Sequence, residues 1–264
     1  MTSRTEFHYD DFTEGHYRVL LAMALRQYTF VPFNGFNQEG DLCLWRHDVD
    51  FSLHRAKRLA AIESEMGVSA TYFLNVHSEF YSALGAASAG LVRDIISMGH
   101  RIGLHFDPGF YDHRKWSAEE RLAILRNEKT VLEGMFGVEV DCYSIHNPTE
   151  DVDWSSDDTL TAGMVNAYCR EISARFTYVS DSNGIWRRGR LDDVLASHPP
   201  RLHVLTHPGW WTPQVLSPRE RISRCIDGRA RWLHESYDRF LMEASRPNVG
   251  RGPARNQRRK PERP

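Results

Sequence analysis

The feature that most constrains this chain is a recurrence. Short apolar runs alternate with stretches of helical periodicity, and one run after another ends on an acid or a histidine. The runs 41–50, 69–74, 100–105, 138–144, 177–180 and 201–206 read as strands. Between and around them, apolar residues recur at helical spacing. Tyr17, Leu20, Leu21, Ala24 and Leu25 do so within 11–28, and Leu53, Ala56, Leu59 and Ala60 within 52–66, a helix stopped by Gly67. A third helix is expected over 91–98, ending at Gly99. A fourth runs from Ser117, an N-cap with Glu120 as its capping-box partner, to Phe136, and an Arg-rich helix covers 218–243. Strands that alternate with helices imply a parallel sheet with right-handed crossovers and outer helices, closed as a barrel or left open.

The length of 264 residues suits one large domain or two small ones, and neither an internal repeat nor a Gly/Ser linker divides it. We expect a single domain over residues 1–245, with its motifs in 42–211. Residues 246–264, rich in Arg, Pro and Asn, are expected to be a disordered basic tail, with a binding arm as the alternative. A hydrophobic share of 41% supports a globular core. The balance of 33 basic against 35 acidic residues offers no general field for nucleic acid or anionic lipid. No run is long and apolar enough for a membrane span, and the N-terminus lacks the pattern of a signal peptide, so a cytoplasmic protein is expected. Cys43, Cys142, Cys169 and Cys225 lie far apart without a CxxC pair, which argues for reduced thiols rather than a zinc ribbon or disulfide framework.

The chemistry sits at the strand ends. In Arg46-His-Asp-Val-Asp50, residues two apart share a face, so Asp48 and Asp50 converge. Two carboxylates so close repel unless a cation joins them. The alternative is that they cap the next helix and pair with Arg46, Arg55 or Arg58, and this segment alone does not decide between the two. His105 ends a second strand and has Asp107 two residues on. His146, Asp181 and His207 occupy three more strand ends. Imidazole and carboxylate together suit zinc first, with iron, cobalt or nickel as alternatives.

The order of these segments resembles the polysaccharide deacetylase (NodB-homology) family, over about residues 42–211. The departures are those of a divergent branch of the kind found with surface-polysaccharide gene clusters. The resemblance implies a distorted (β/α) barrel and a divalent-metal-dependent hydrolase that removes acetyl groups from an N-acetylated sugar or glycan precursor. His47-Asp48-Val-Asp50 resembles the family's acidic motif, which makes Asp48 the general base and Asp50 a metal ligand. Gly99-His-Arg-Ile-Gly-Leu-His105 makes His105 a ligand. Leu202-His-Val-Leu-Thr-His207 makes His207 the general acid, and Asp181 corresponds to the acid that orients it. Where many members carry a further ligand histidine, four residues after the first, this chain has Gly109. The third ligand is then His146 or Asp107, or the site has two ligands or no metal. If Asp107 is not a ligand it falls to substrate binding.

Trp186, Trp210 and Trp211 follow the proposed site residues in sequence and offer either a sugar platform or packing. Arg187 and Arg188 offer an anion contact or a solvated face. Arg46 and His47 read as supports for the acidic pair. Two other functions fit the same motifs: an amidase or deformylase acting on a small non-sugar amide, and a non-catalytic sugar-binding homologue that has lost its metal.

Overall fold

The computed structural model describes residues 7–111, 117–148, 159–187 and 189–250. The chain divides into two compact units, Met1–Cys225 and Ile226–Pro264. Of the expected tail, 251–264 lies outside the described residues, as does Arg188. All four cysteines are free.

Among its described residues the first unit has nine strands: β1 (Thr29–Phe30), β2 (Leu42–Val49), β3 (Thr71–Leu74), β4 (Arg101–Phe106), β5 (Cys142–Ile145), β6 (Leu160–Thr161), β7 (Met164–Asn166), β8 (Thr177–Ser180) and β9 (Arg201–Thr206). Its helices are α1 (Glu14–Leu25), α2 (Leu53–Glu65), α3 (Ala86–Ser97), α4 (Ala118–Phe136), α5 (Arg170–Arg175) and α6 (Leu191–Ser197). Helix α7 (Pro218–Glu243) begins in this unit and supplies most of the described part of the second. The strands lie in the order β6-β7-β5-β4-β3-β2-β9-β8, with β1 beside the start of β2. All pairs are parallel except β6 with β7. That antiparallel edge hairpin, β1 and the short helices α5 and α6 are elements the periodicity did not disclose, because each spans too few residues to show a period.

The sheet curls strongly, and among the described residues β6 and β8 are its two unpaired edges. Tyr168 follows β7, which in a flat sheet would lie four strand spacings, or about 19 Å, from β2. Yet the Tyr168 hydroxyl accepts a hydrogen bond from Arg46 Nη2 on β2 at 2.8 Å. Two side chains standing on one flat face could not meet over that span, so the concave face closes around them.

Strand alternation sorts the residues of β2 between two environments. Cys43, Trp45 and Val49 face the helix-covered side with the main core, while Leu42 and Leu44 face inward with Phe33, Phe36 and Phe73. All eight residues of β2 are buried, as expected for a strand covered on both faces. The inner face is tight at Gly103. A Cβ there would sit 2.6 Å from the Phe73 ring and 3.2 Å from Cys142 Sγ, so only glycine fits as the chain stands. At the head of α4, Ser117 and Glu120 form the reciprocal capping box that their spacing implied.

Candidate metal centre

All five chemistry-bearing strand ends meet at one rim of the curled sheet. Asp48 and Asp50 come from the end of β2, His105 from β4 and His146 from just past β5. Asp181 follows β8, and His207 follows β9. The first four parallel strands run outward from β2 in one direction, and β9 and β8 lie on its other side. The site therefore occupies the crevice where strand order reverses, at the C-terminal edge.

Three donor atoms form a nearly equilateral triangle. His105 Nε2 lies 3.1 Å from His146 Nδ1 and 3.2 Å from Asp50 Oδ1, and His146 Nδ1 lies 3.4 Å from the same oxygen. A cation with bonds of about 2.0–2.1 Å and near-tetrahedral angles spaces its ligands by about 3.3–3.4 Å. The triangle fits such an ion with little adjustment. These residues form one of two metal-ligand-type clusters among the described residues. In the other, Asp11 is already paired with Arg190, and His16 with Asp192.

Asp50 Oδ1 is buried and accepts no hydrogen bond, a costly state unless a cation completes it. Burial alone would raise the Asp50 carboxyl. When they carry protons, His105 and His146 against it, with His207 behind, hold it well below the usual carboxylate range. The carboxylate is thus in the ionised form a metal requires.

The tautomer of His105 follows from its neighbour. Ser144 Oγ donates to Asp48 Oδ1 at 3.3 Å, so it accepts from His105 Nδ1 at 2.7 Å, and the Nε2 lone pair is left pointing into the triangle. Ser144 precedes His146 by two residues and shares its face. That spacing was the available signal, although nothing in residue type singles out this serine. Asp48 is buried, with Arg46 Nη2 at 3.4 Å from its other oxygen. Of the arginines that could have claimed the acidic pair, Arg55 and Arg58 instead bind Glu14 of α1. The N-cap of α2 is Ser52, not an acid.

Across the centre stands a His–Asp dyad. His207 Nδ1 donates to Asp181 Oδ1 at 2.6 Å, and Nε2 points toward Asp50, 3.8 Å from its Oδ2. The fully buried Asp181 is fixed by two further donors, the His207 backbone N–H at 3.0 Å and Trp211 Nε1 at 2.9 Å. Burial opposes a charge on His207, but Asp181, with Asp50 and Asp48 beyond it, outweighs burial and raises the imidazole to about 9.

Two lobes open from this centre and share Asp50, His146, Asn147, Ser182, Asn183 and His207. The inner lobe, about 600 Å³, adds Asp48, His105, Tyr168, Tyr178 and Arg187. The outer lobe, about 400 Å³, adds Asp107, Asn75, His77, Glu79 and the aromatics Phe51, Phe80 and Trp210.

Asp107 lines the outer lobe, but its Oδ1 accepts the Gly109 N–H, capping the short turn that follows β4. It is not among the residues of the donor triangle. Trp210 lines the lobe with its ring edge-on to Phe51, the centroids 5.2 Å apart. Trp186 lines neither lobe. Its ring packs on Phe12 at 5.3 Å and on Trp211 at 6.1 Å, which leaves it a packing residue rather than a platform in this arrangement. His47 also differs from expectation. Its odd position on β2 turns it to the helix side, where Nε2 meets Glu63 at 2.6 Å and Nδ1 meets Thr206 at 2.7 Å. His77 and Glu128 were missed. They lie 3.0 Å apart beside the outer lobe, joined by Tyr111, and burial raises Glu128 to about 7.

No family model matches the chain, and no curated protein sequence matches it. Solved structures similar to it include the chitin deacetylase of Colletotrichum lindemuthianum, at 15% identity and a TM-score of 0.44, covering 76% of this chain and 86% of that one. Another is the catalytic domain of the peptidoglycan N-acetylglucosamine deacetylase of Eubacterium rectale, at 13% identity and a TM-score of 0.43, covering 74% and 86%. A third is a CE4 family pseudoenzyme of Bacillus anthracis, at 17% identity and a TM-score of 0.40. There the match covers 75% of this chain and 62% of that one.

Proposed function

We propose that this chain is a divalent-metal-dependent amide hydrolase that removes an acetyl or related acyl group from an N-acylated sugar or glycan precursor. The observation that carries the reading is the donor triangle of Asp50, His105 and His146 standing opposite the His207–Asp181 dyad. Zinc is the first choice for these ligands. An ion held by the three side chains would supply Lewis-acid polarisation of the acyl carbonyl and acidify a water.

The remaining work falls to the chain's own residues. Asp48, facing the inner lobe, takes the proton of the attacking water as general base. Arg46 beneath it and Ser144 beside it keep the carboxylate in place. His207 carries the proton that the departing amine needs, because an amine leaves poorly until it is protonated. Asp181 keeps that imidazole charged and aimed at the centre. The outer lobe presents Asn75, His77, Ser78, Glu79, Asp107 and Ser182 around three aromatic rings, which suits a hydroxylated substrate. Arg187, which lines the inner lobe, would meet an anionic substituent if the substrate carries one.

Metal content of the purified chain, with Asp50→Ala, His105→Ala, His146→Ala and Asp107→Ala beside it, tests the first step. Near-stoichiometric metal is expected in the wild type and in Asp107→Ala, with loss in the other three. A wild type that stays empty after incubation with zinc, iron, cobalt and nickel refutes the hydrolase reading and favours a non-catalytic sugar-binding homologue. Acetate release from N-acetylated sugars against small amides and cyclic imides tests the substrate class. Activity confined to the small amides favours the amidase reading.

A further inference from the structure

The second unit carries a feature that the metal centre does not explain. Along α7 and the turn after it, Ile226, Ala230, Leu233, Tyr237, Phe240 and Ala244 recur at alternating steps of four and three. That is the heptad spacing of a coiled-coil seam. The seam is bare. Ile226 is 46% exposed, Leu233 49%, Tyr237 59% and Phe240 54%, and both alanines are exposed as well. Ala244 still belongs to the helical ladder, since its N–H bonds the Phe240 carbonyl at 3.0 Å. Six consecutive seam positions left in water are more than scattered surface apolarity, and a stripe of this length marks an association surface.

We infer that this face pairs with the same face of a second copy, in an antiparallel two-helix contact about a twofold axis. Side-chain size argues for the orientation. An antiparallel register centred between Leu233 and Tyr237 sets Phe240 against Ala230, Ile226 against Ala244 and Tyr237 against Leu233. Each bulky side chain then meets a smaller one, and the layers fill evenly. A parallel register would stack Phe240 on its own copy and leave a gap between paired alanines.

Charge points the same way. Arg229 and Glu243 hold equivalent flanking positions beside the seam, near its two ends. The antiparallel register brings the Arg229 of each copy to the Glu243 of the other, twice by symmetry. In a parallel register Arg229 would face His234 and gain no carboxylate. The helix dipoles also oppose favourably when the helices run antiparallel.

The contact is of modest size. The seam runs for about 28 Å at 1.5 Å per residue. Four large side chains, each already half in water, would hide on the order of 100 Å² apiece. With the flanking residues, two copies reach the lower end of what a specific interface buries, about 1,200 Å² in total. A reversible, micromolar dimer is the expectation rather than an obligate one.

Sedimentation velocity of the full-length chain between about 1 and 100 μM tests this independently of metal content or activity. The wild type should show a concentration-dependent monomer–dimer equilibrium. Phe240→Glu should be monomeric throughout, with unchanged helical circular dichroism because the position is exposed. Arg229→Glu should weaken the dimer about tenfold, and Arg229→Glu combined with Glu243→Arg should restore it. A wild type that stays monomeric at 100 μM overturns the inference. So does a dimer indifferent to Phe240→Glu, and failure of the double exchange to restore pairing overturns the antiparallel register.

Discussion

Replacing Asp181 by asparagine keeps the size of the side chain and an acceptor for Trp211 and the His207 backbone, but removes the charge against His207. In the wild type, burial opposes the imidazolium, and the carboxylates led by Asp181 override it to give a value of about 9. Asp181 is the nearest of them, with Oδ1 at 2.6 Å from Nδ1, and it is wholly buried. Without it, burial should return His207 to about its ordinary 6.5 or below, a fall of roughly 2.5 units, or about 3 kcal/mol. At pH 7 the protonated fraction would drop from nearly all to about a quarter. The alkaline limb of the pH–rate profile should therefore move from near 9 to near 6.5, where a general acid that must be protonated begins to fail. Histidine NMR titration of wild type and variant reads the same shift without turnover. The stability consequence has a definite sign. A pKa raised on folding stabilises fully below about 6.5, and that contribution disappears as pH rises through about 9. Urea midpoints should separate wild type from Asp181→Asn at pH 6 and draw together above pH 9. An unchanged His207 titration in the variant would refute the account.

Further outcomes follow from single contacts. Ser144→Ala removes the acceptor that orients His105 Nδ1 and should weaken metal affinity about 10- to 100-fold, read by competition with a chromogenic chelator; unchanged affinity would refute the tautomer assignment. Gly103→Ala forces a methyl against the Phe73 ring and should cost about 1–3 kcal/mol in urea unfolding while leaving metal stoichiometry intact. Glu63→Leu strips the shared acceptor of His47, Tyr17 and Tyr72 and should cost about 3–5 kcal/mol; a loss under 1 kcal/mol would show that the network contributes little.

Much of this architecture is legible in the sequence, for reasons the structure makes concrete. Strand β2 announces itself because it is covered on both faces and so is apolar along most of its length. Strands β8 and β9, and helix α7, coincide with their sequence bounds, because a strand of one burial pattern or a long amphipathic helix leaves a continuous signal. The edge hairpin β6–β7 left none, since two or three residues carry no period. At the site, strand alternation was enough to put Asp48 with Asp50 on one face, His105 was marked by its place at the end of another strand, and the meeting of His207 with Asp181 follows from β8 and β9 being neighbours. His47 shows where the same rule was not carried through. As the residue between Arg46 and Asp48 it must point away from both, and its partner Glu63 lies on α2, a contact that local spacing cannot reveal. Trp186 was placed near the site by sequence proximity to Asp181, but its ring turns toward Phe12 and Trp211.

Strand β2 carries buried charge on both of its faces, and the two faces are finished differently. On the helix side Glu63 is saturated. It accepts from the Tyr17 and Tyr72 hydroxyls, binds His47, and has His100 Nδ1 at 3.6 Å. His47 in turn is closed by Thr206, so little is left there for a ligand to do. On the concave side Asp48 has only long contacts, at 3.3 Å to Ser144 and 3.4 Å to Arg46. Asp50 Oδ1 is buried without a donor, and Arg46 Nε and Nη1 make no hydrogen bond, the guanidinium lying over the Phe73 and Tyr168 rings. Folding alone has no reason to satisfy one face of a strand and starve the other, since each unpaired buried group costs on the order of 1–3 kcal/mol. Along this strand the shortfall falls on the face where the three ligand-type atoms converge and the two lobes open. Buried groups left short of partners at a site open to solvent are what a chain retains for something it binds. Burial and charge by themselves would have marked Glu63 and Asp50 alike; the difference in completion separates the structural network from the functional one.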